Sequence, residues 1–123
     1  MADTKPHVLV VDDSPTGRQA ATHLLQKRGY AVVTAEDGEQ ALEKIAAAAP
    51  RVILLDIVLP KMNGYEVLRH LKASEATRGI KVILVSSKSQ ESDRFWGLKQ
   101  GADDYIAKPY KDEALLAAVK RQL

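Results

Sequence analysis

The sequence predicts an α/β fold, a single domain with five parallel strands and helices on both faces of the sheet. Three observations carry this. Short Val- and Ile-rich runs of four to six residues alternate with longer segments of helical character. Several of those segments open at a residue that caps helices well. The runs are continuously apolar and not alternating, as strands covered on both faces must be.

The first strand is HVLVV (7–11). Ser14 then starts a helix, because its hydroxyl can accept from a free backbone N–H and Pro15 is pre-shaped for the first helical position. Gly29, after Arg28, ends it. YAVVTA (30–35) is the second strand. Asp37 opens the second helix with Gln40 as its capping-box partner, and AAAA (46–49) ends it before Pro50. RVILL (51–55) is the third strand, and Asn63 with Glu66 repeats the capping signature. KVILVS (81–86) follows, then a helix from about Glu91 to Gln100 that stops at Gly101. DYIA (104–107) and a final helix in KDEALLAAVKRQL (111–123) complete the chain. Five successive βα units joined by right-handed crossovers make a parallel sheet. A flavodoxin-like, doubly wound (βα)5 fold with strand order 2-1-3-4-5 is the expected solution at this length.

Composition narrows function by exclusion. At 123 residues, 46% hydrophobic and 28% charged, the chain suits one domain over 1–123, with no linker or repeat. A net charge of +2 with no basic stripe predicts no nucleic-acid partner. No apolar run reaches the ~20 residues of a membrane span, so no membrane insertion is expected. The start, MADTKPH, lacks a signal-peptide layout, and the absence of cysteine suits a cytoplasmic protein.

In an open parallel sheet, ligands bind beyond the carboxyl ends of the strands. The residues at or just past those ends are Asp12 and Asp13, Asp56, Ser86 and Lys108. Asp56 stands out, because it follows Val52, Ile53, Leu54 and Leu55, where a carboxylate without a partner is costly. Three carboxylates in one pocket repel by several kcal/mol per pair even at an effective dielectric near ~20. Either one takes a proton or a cation joins them. With only oxygen donors at hand, a hard cation such as Mg²⁺, with Mn²⁺ a possible substitute, is favoured over zinc. A carboxylate nucleophile, a metal, a lysine and a hydroxyl together suit phosphoryl transfer to an aspartate.

These pieces resemble the CheY-like receiver domain of two-component response regulators. The matching stretches are VVDDS (10–14), LLDIVLPKMNGYE (54–66), VSS (85–87) and GADDYIAKPY (101–110). The spacings of 30 residues from Asp56 to Ser86 and 52 from Asp56 to Lys108 match as well. The resemblance implies that Asp56 is the phosphoacceptor, taking a phosphoryl group from a CheA-like histidine kinase. It implies Asp13 as direct Mg²⁺ ligand, Asp12 acting through water, and the Val58 backbone carbonyl as a further ligand. Lys108 and Ser86 would stabilise the phosphoryl group, with Ser86 and Tyr105 as the switch and Ser87 kept small for access. Lys108-Pro109 would be cis. Val58 and Lys88, each two residues after a site residue, would tune hydrolysis. The output face would be α4-β5-α5, with Trp96 and Tyr105 as candidate contacts. Trp96-Gly97 followed by Gln100-Gly101-Ala102 resembles the PilH branch of twitching-motility receivers, so a motor or pilus protein is the expected target of a monomeric, stand-alone switch.

Taken singly, each residue has a blander role. Asp12 and Asp13 could cap a helix, Asp56 could start a turn, Lys108 could be a solvated lysine, and Tyr105 could be an ordinary sheet aromatic. Phe95 and Trp96 lie about 100° apart on a helix, so one is expected inside and the other partly exposed. His7, His23 and His70 are scattered, and none reads as a ligand. Other functions compete with the switch. A phosphate sink for a shared kinase uses the same chemistry without a phospho-dependent target, since no output domain is expected after the fifth helix. An aspartyl-phosphate phosphatase of the haloacid-dehalogenase type wants an acid two places after its nucleophile, where Val58 stands, and a cap domain. A receiver that signals by constitutive contacts would not need the acidic set. Nucleotide binding lacks both glycine-rich motifs.

Overall fold

The computed structural model describes residues 7–123. Strands β1 (His7–Val11), β2 (Ala31–Ala35), β3 (Val52–Asp56), β4 (Lys81–Ser86) and β5 (Asp104–Ala107) form one parallel sheet in the order β2-β1-β3-β4-β5. Helices α1 (Pro15–Lys27), α2 (Gly38–Ala48), α3 (Gly64–Ala73), α4 (Glu91–Lys99) and α5 (Asp112–Gln122) alternate with them. The predicted topology is the one observed.

The capping chemistry works largely as read. Ser14 accepts from the Gly17 N–H, Asp37 from Gln40, and Asn63 and Glu66 close a full capping box. The Gln40 side chain reaches the Glu36 N–H, one residue earlier than a standard box. Ala49 ends α2 in the left-handed region at φ 46°.

Strand side chains alternate between two cores. Leu9, Val11, Ile53, Leu55, Val82 and Leu84 meet Ala41, Ile45, Val67, Leu68 and Leu71 of α2 and α3. Val8, Val10, Val52, Leu54 and Ile83 meet Ala21, Leu25, Leu115, Ala118 and Val119 of α1 and α5. Both faces are therefore dry, and each fully buried branched side chain contributes roughly 1.5–3 kcal/mol relative to exposure. β2 departs from the expectation of two-sided burial. It is an edge strand, and four of its five residues remain half-buried.

The same alternation sorts the polar strand ends. Asp12 and Asp56 continue the row of Val10 and Leu54 toward α1 and α5, and Lys108 that of Ile106. Ser86 and Tyr105 belong to the row of Leu84, toward α4.

Two loops are pinned by glycine. A Cβ on Gly64 would sit 2.5 Å from the Asp56 carbonyl oxygen, and one on Gly38 would collide with the Met62 carbonyl. Gly64→Ala is expected to cost about 1–3 kcal/mol as an overpacking change and to shift the Asp56 backbone. Chemical denaturation checks the first effect. A midpoint equal to the native one contradicts it.

Phe95 and Trp96 correct the expectation that one would pack inside. Both are exposed, at 66% and 53%. Gly97 is the residue of α4 that faces the sheet, and it is the helix's one buried position. Its neighbours in sequence are consequently turned away.

Candidate functional site

Asp56 is the last residue of β3 and is 7% exposed, so the strand runs one residue further than the sequence suggested. It ends the central strand of the sheet, with Asp12 beyond the end of β1 on one side and Ser86 at the end of β4 on the other. Carboxylate oxygens of Asp12, Asp13 and Asp56 lie within 4.8 Å of one another. Asp12 is buried, while Asp13 is open to solvent.

Lys108 reaches across from the end of β5. Its Nζ donates to Asp56 Oδ2 at 2.9 Å and to Asp12 Oδ2 at 3.2 Å. One ammonium thus faces two buried carboxylates, and the third carboxylate lies alongside with no counter-charge of its own among the described ion pairs. Burial pushes the Asp56 carboxyl above its usual value, and the hydrogen bond and charge of Lys108 only partly oppose this. Lys108 itself is held above the ordinary lysine value. Its burial acts in the opposite direction and is outweighed by its bonds and charge pairing with Asp56 and Asp12. The donor set is all oxygen, net negative and open at Asp13, which fits a hard divalent cation.

The backbone around the cluster is fixed from several sides. The Ser14 N–H donates to Asp12 Oδ1 at 2.9 Å, and Arg18 Nη1 donates to the Asp12 carbonyl at 2.8 Å. Val58 follows on the loop after β3, where its backbone N–H favours the ionised Asp56 and its side chain is 65% exposed. The Lys108-Pro109 bond is cis, as expected.

The predicted switch residues are joined through one backbone unit. The Lys88 N–H donates to Ser86 Oγ at 3.1 Å, and the Lys88 carbonyl accepts from the Tyr105 hydroxyl at 2.8 Å. Ser86 and Tyr105 are both buried, so the Tyr105 side chain lies beneath the α4-β5-α5 surface and does not project from it as a contact. Ser87 and the Lys88 side chain face solvent. Trp96 is exposed on α4 and takes no part in the acidic cluster.

Sequence reasoning missed Asp104. It is 6% exposed and accepts from Arg121 Nη2 at 2.8 Å, Arg94 Nη2 at 3.3 Å and the Tyr105 N–H at 2.8 Å. The Arg121 hydrogen bond, with help from Tyr105 and Arg94, outweighs burial and holds its carboxyl below the usual value. Nothing local in Asp103-Asp104 distinguishes the buried acid from its neighbour. Only strand alternation, which turns Asp104 and Tyr105 to opposite faces, hints at it. Asp104→Ala is expected to destabilise the fold by roughly 1–3 kcal/mol at neutral pH, since it strips one buried N–H and two arginines of their acceptor. Because the folded value is depressed, this contribution is present above the ordinary value of 3.8 and is lost as pH falls through the folded value. Urea midpoints for the two chains, measured down the pH scale, should therefore converge in acid.

Known proteins share this layout. Protein PilH of Pseudomonas aeruginosa is 41% identical over 116 residues, covering 94% of this chain and 96% of that protein. Protein PilG of the same organism is 42% identical over 113 residues, covering 92% and 84%. The crystal structure of the chemotaxis response regulator CheY4 of Vibrio cholerae superposes with a TM-score of 0.91 at 33% identity, covering 98% of this chain and all of that one. The response regulator receiver domain profile matches residues 8–120, from the first strand into the last helix. A match of that extent takes in every strand end that carries the acidic cluster, the serine and the lysine, and the chain belongs to the response regulator receiver domain family.

Proposed function

We propose that the protein accepts a phosphoryl group from a histidine kinase on Asp56 and, once modified, changes how its α4-β5-α5 face binds a target in chemotaxis- or pilus-type signalling. The observation that carries this reading is the position of Lys108, shared between Asp12 and Asp56 beside Asp13. That arrangement holds a nucleophilic carboxylate, a counter-charge and an open acidic face in one place.

Receiver domains work with Mg²⁺, and Asp12, Asp13, Asp56 and the Val58 carbonyl are the groups that would hold it. When bound, it offsets the negative charge that a phosphoryl donor brings to three carboxylates. The chain's own residues do the rest. An Asp56 carboxylate oxygen attacks phosphorus while the P–N bond to the donor imidazole breaks, leaving an acyl phosphate. Lys108 already donates to that carboxylate, and its ammonium passes to the phosphoryl oxygens as charge moves outward. Ser86 supplies a hydroxyl one register position further along the adjacent strand. Its bond from the Lys88 N–H is given up as it turns toward the phosphoryl group. Because Lys88 also holds the Tyr105 hydroxyl, the β4–α4 loop and Tyr105 respond together. The exposed side chains of Val58 and Lys88 flank the approach for water and set the lifetime of the acyl phosphate.

Phosphate transfer from a panel of radiolabelled histidine kinases tests the reading. Label passing to this chain in the presence of Mg²⁺ is expected. Label that stays on every kinase contradicts it. No described helix is long and apolar enough to cross a membrane. The family match supports a cytoplasmic place for the chain, with a CheA-like histidine kinase as its phosphodonor.

A further inference from the structure

The α4 helix is unusual in how little of itself it buries. Gly97 is its one buried residue, whereas Phe95, Trp96 and Leu98 are 66%, 53% and 37% exposed. A helix of nine residues has little intrinsic stability and depends on what it packs against. What lies under Gly97 is the Tyr105 ring. A Cβ built there would stand 2.9 Å from Tyr105 Cδ2, 3.3 Å from Cε2 and 3.0 Å from Leu84 Cδ1. The other ties are polar and come from Arg94, whose Nη1 donates to the Tyr105 carbonyl at 2.7 Å and whose Nη2 donates to Asp104 Oδ1 at 3.3 Å. Of these contacts only the one with the Tyr105 ring changes when that ring turns.

We propose that Gly97 is a positioning residue for signal output: its missing side chain lets α4 settle directly on the inward Tyr105 ring, so the helix senses the state of that ring by contact. This rests on the switch reading above and adds the point at which the switch reaches the surface. With the ring inside and bonded to the Lys88 carbonyl, α4 has an apolar seat. With the ring turned out, Leu84 is the apolar contact left under Gly97, beside the Arg94 bonds to the Tyr105 carbonyl and Asp104. A methyl group at position 97 meets the ring itself, a rigid plane held at its hydroxyl end, so either the ring or the helix must move. Neither change touches Asp12, Asp13, Asp56 or Lys108.

Four chains test this: native, Gly97→Ala, Tyr105→Ala and the double variant. Each is assayed for phosphoryl labelling and for amide exchange across residues 91–99 without phosphate. Trp96 emission, from the single tryptophan of the chain, is followed on adding Mg²⁺ and beryllofluoride. Gly97→Ala is expected to label at the native rate, to exchange its α4 amides on the order of tenfold faster, the size of an ordinary side-chain coupling, and to lose the Trp96 response. In the Tyr105→Ala background the same substitution should have a much smaller effect, because the ring it strikes is gone and only the flexible Leu84 methyl remains in reach. A Gly97→Ala chain matching the native one in exchange and emission overturns the proposal, and so does an equal effect in both backgrounds. Should Gly97→Ala fail to fold, recovery in the double variant is the expected result, and failure there as well overturns it. Native chain that takes no label contradicts the phosphoacceptor reading alone, since the exchange measurements need no phosphate.

Discussion

Asp56→Asn is expected to abolish phosphoryl labelling by acetyl phosphate while making the fold more resistant to heat. The first effect follows from removing the only buried carboxylate that ends the central strand and faces Lys108. The amide cannot form an acyl phosphate, and the neighbouring Asp12 is tied to Ser14 and Lys108. The second follows from linkage. Burial raises the Asp56 value in the folded chain, so the folded state holds that proton more tightly than the unfolded one. Stability then falls as pH rises from the ordinary value of 3.8 through the folded value, and the full cost is present at neutral pH. Asparagine carries no such cost. Its thermal midpoint should exceed the native one at neutral pH, and the two should converge in acid. Intact mass after acetyl phosphate treatment and thermal melts at two pH values check both halves. Surviving label in the variant moves the chemistry elsewhere.

Lys108→Met should have the next largest effect. The substitution keeps most of the apolar stem and removes the one ammonium that two buried carboxylates share. Labelling is expected to slow by about 10²-fold, the usual consequence of losing one preorganised donor to a developing oxyanion. Left without their shared donor, Asp12 and Asp56 repel across the pocket, and the fold should weaken by roughly 1–3 kcal/mol. A divalent cation then has more to offset. Mg²⁺ should therefore raise the melting temperature of the variant by more than that of the native chain. Equal Mg²⁺ shifts in the two proteins would show that Lys108 is not the resident counter-ion of the cluster.

The parts of this structure that were legible in sequence share one property: their cause lies within a few residues. Ser14-Pro15, Asp37 and Asn63 with Glu66 start helices through bonds that span three positions, as read, except that the Gln40 side chain reaches back to the Glu36 N–H and closes no standard box with Asp37. Val- and Ile-rich runs report burial on both faces for the same reason, and they fail only at β2, where position at the sheet edge is a property of the whole topology. The acidic cluster was legible because strand ends share one rim, which turns a linear pattern into a place. What sequence could not show were pairings across the fold. Asp104 takes its arginines from 10 and 17 residues away, on two different helices. Phe95 and Trp96 were misread because the face of α4 that meets the sheet is chosen by a glycine, a residue that carries no hydrophobic signal. The inward state of Tyr105 likewise depends on the Lys88 carbonyl and on that same glycine.

Borohydride trapping tests the central claim most directly, because it reduces an acyl phosphate to an alcohol and so marks the residue that carried it. After acetyl phosphate treatment with Mg²⁺, peptide mass spectrometry should find homoserine at position 56 and nowhere else, with the conversion lost when the metal is chelated. Homoserine at Asp12 or Asp13, or conversion at Asp56 that persists without a divalent cation, would contradict the account.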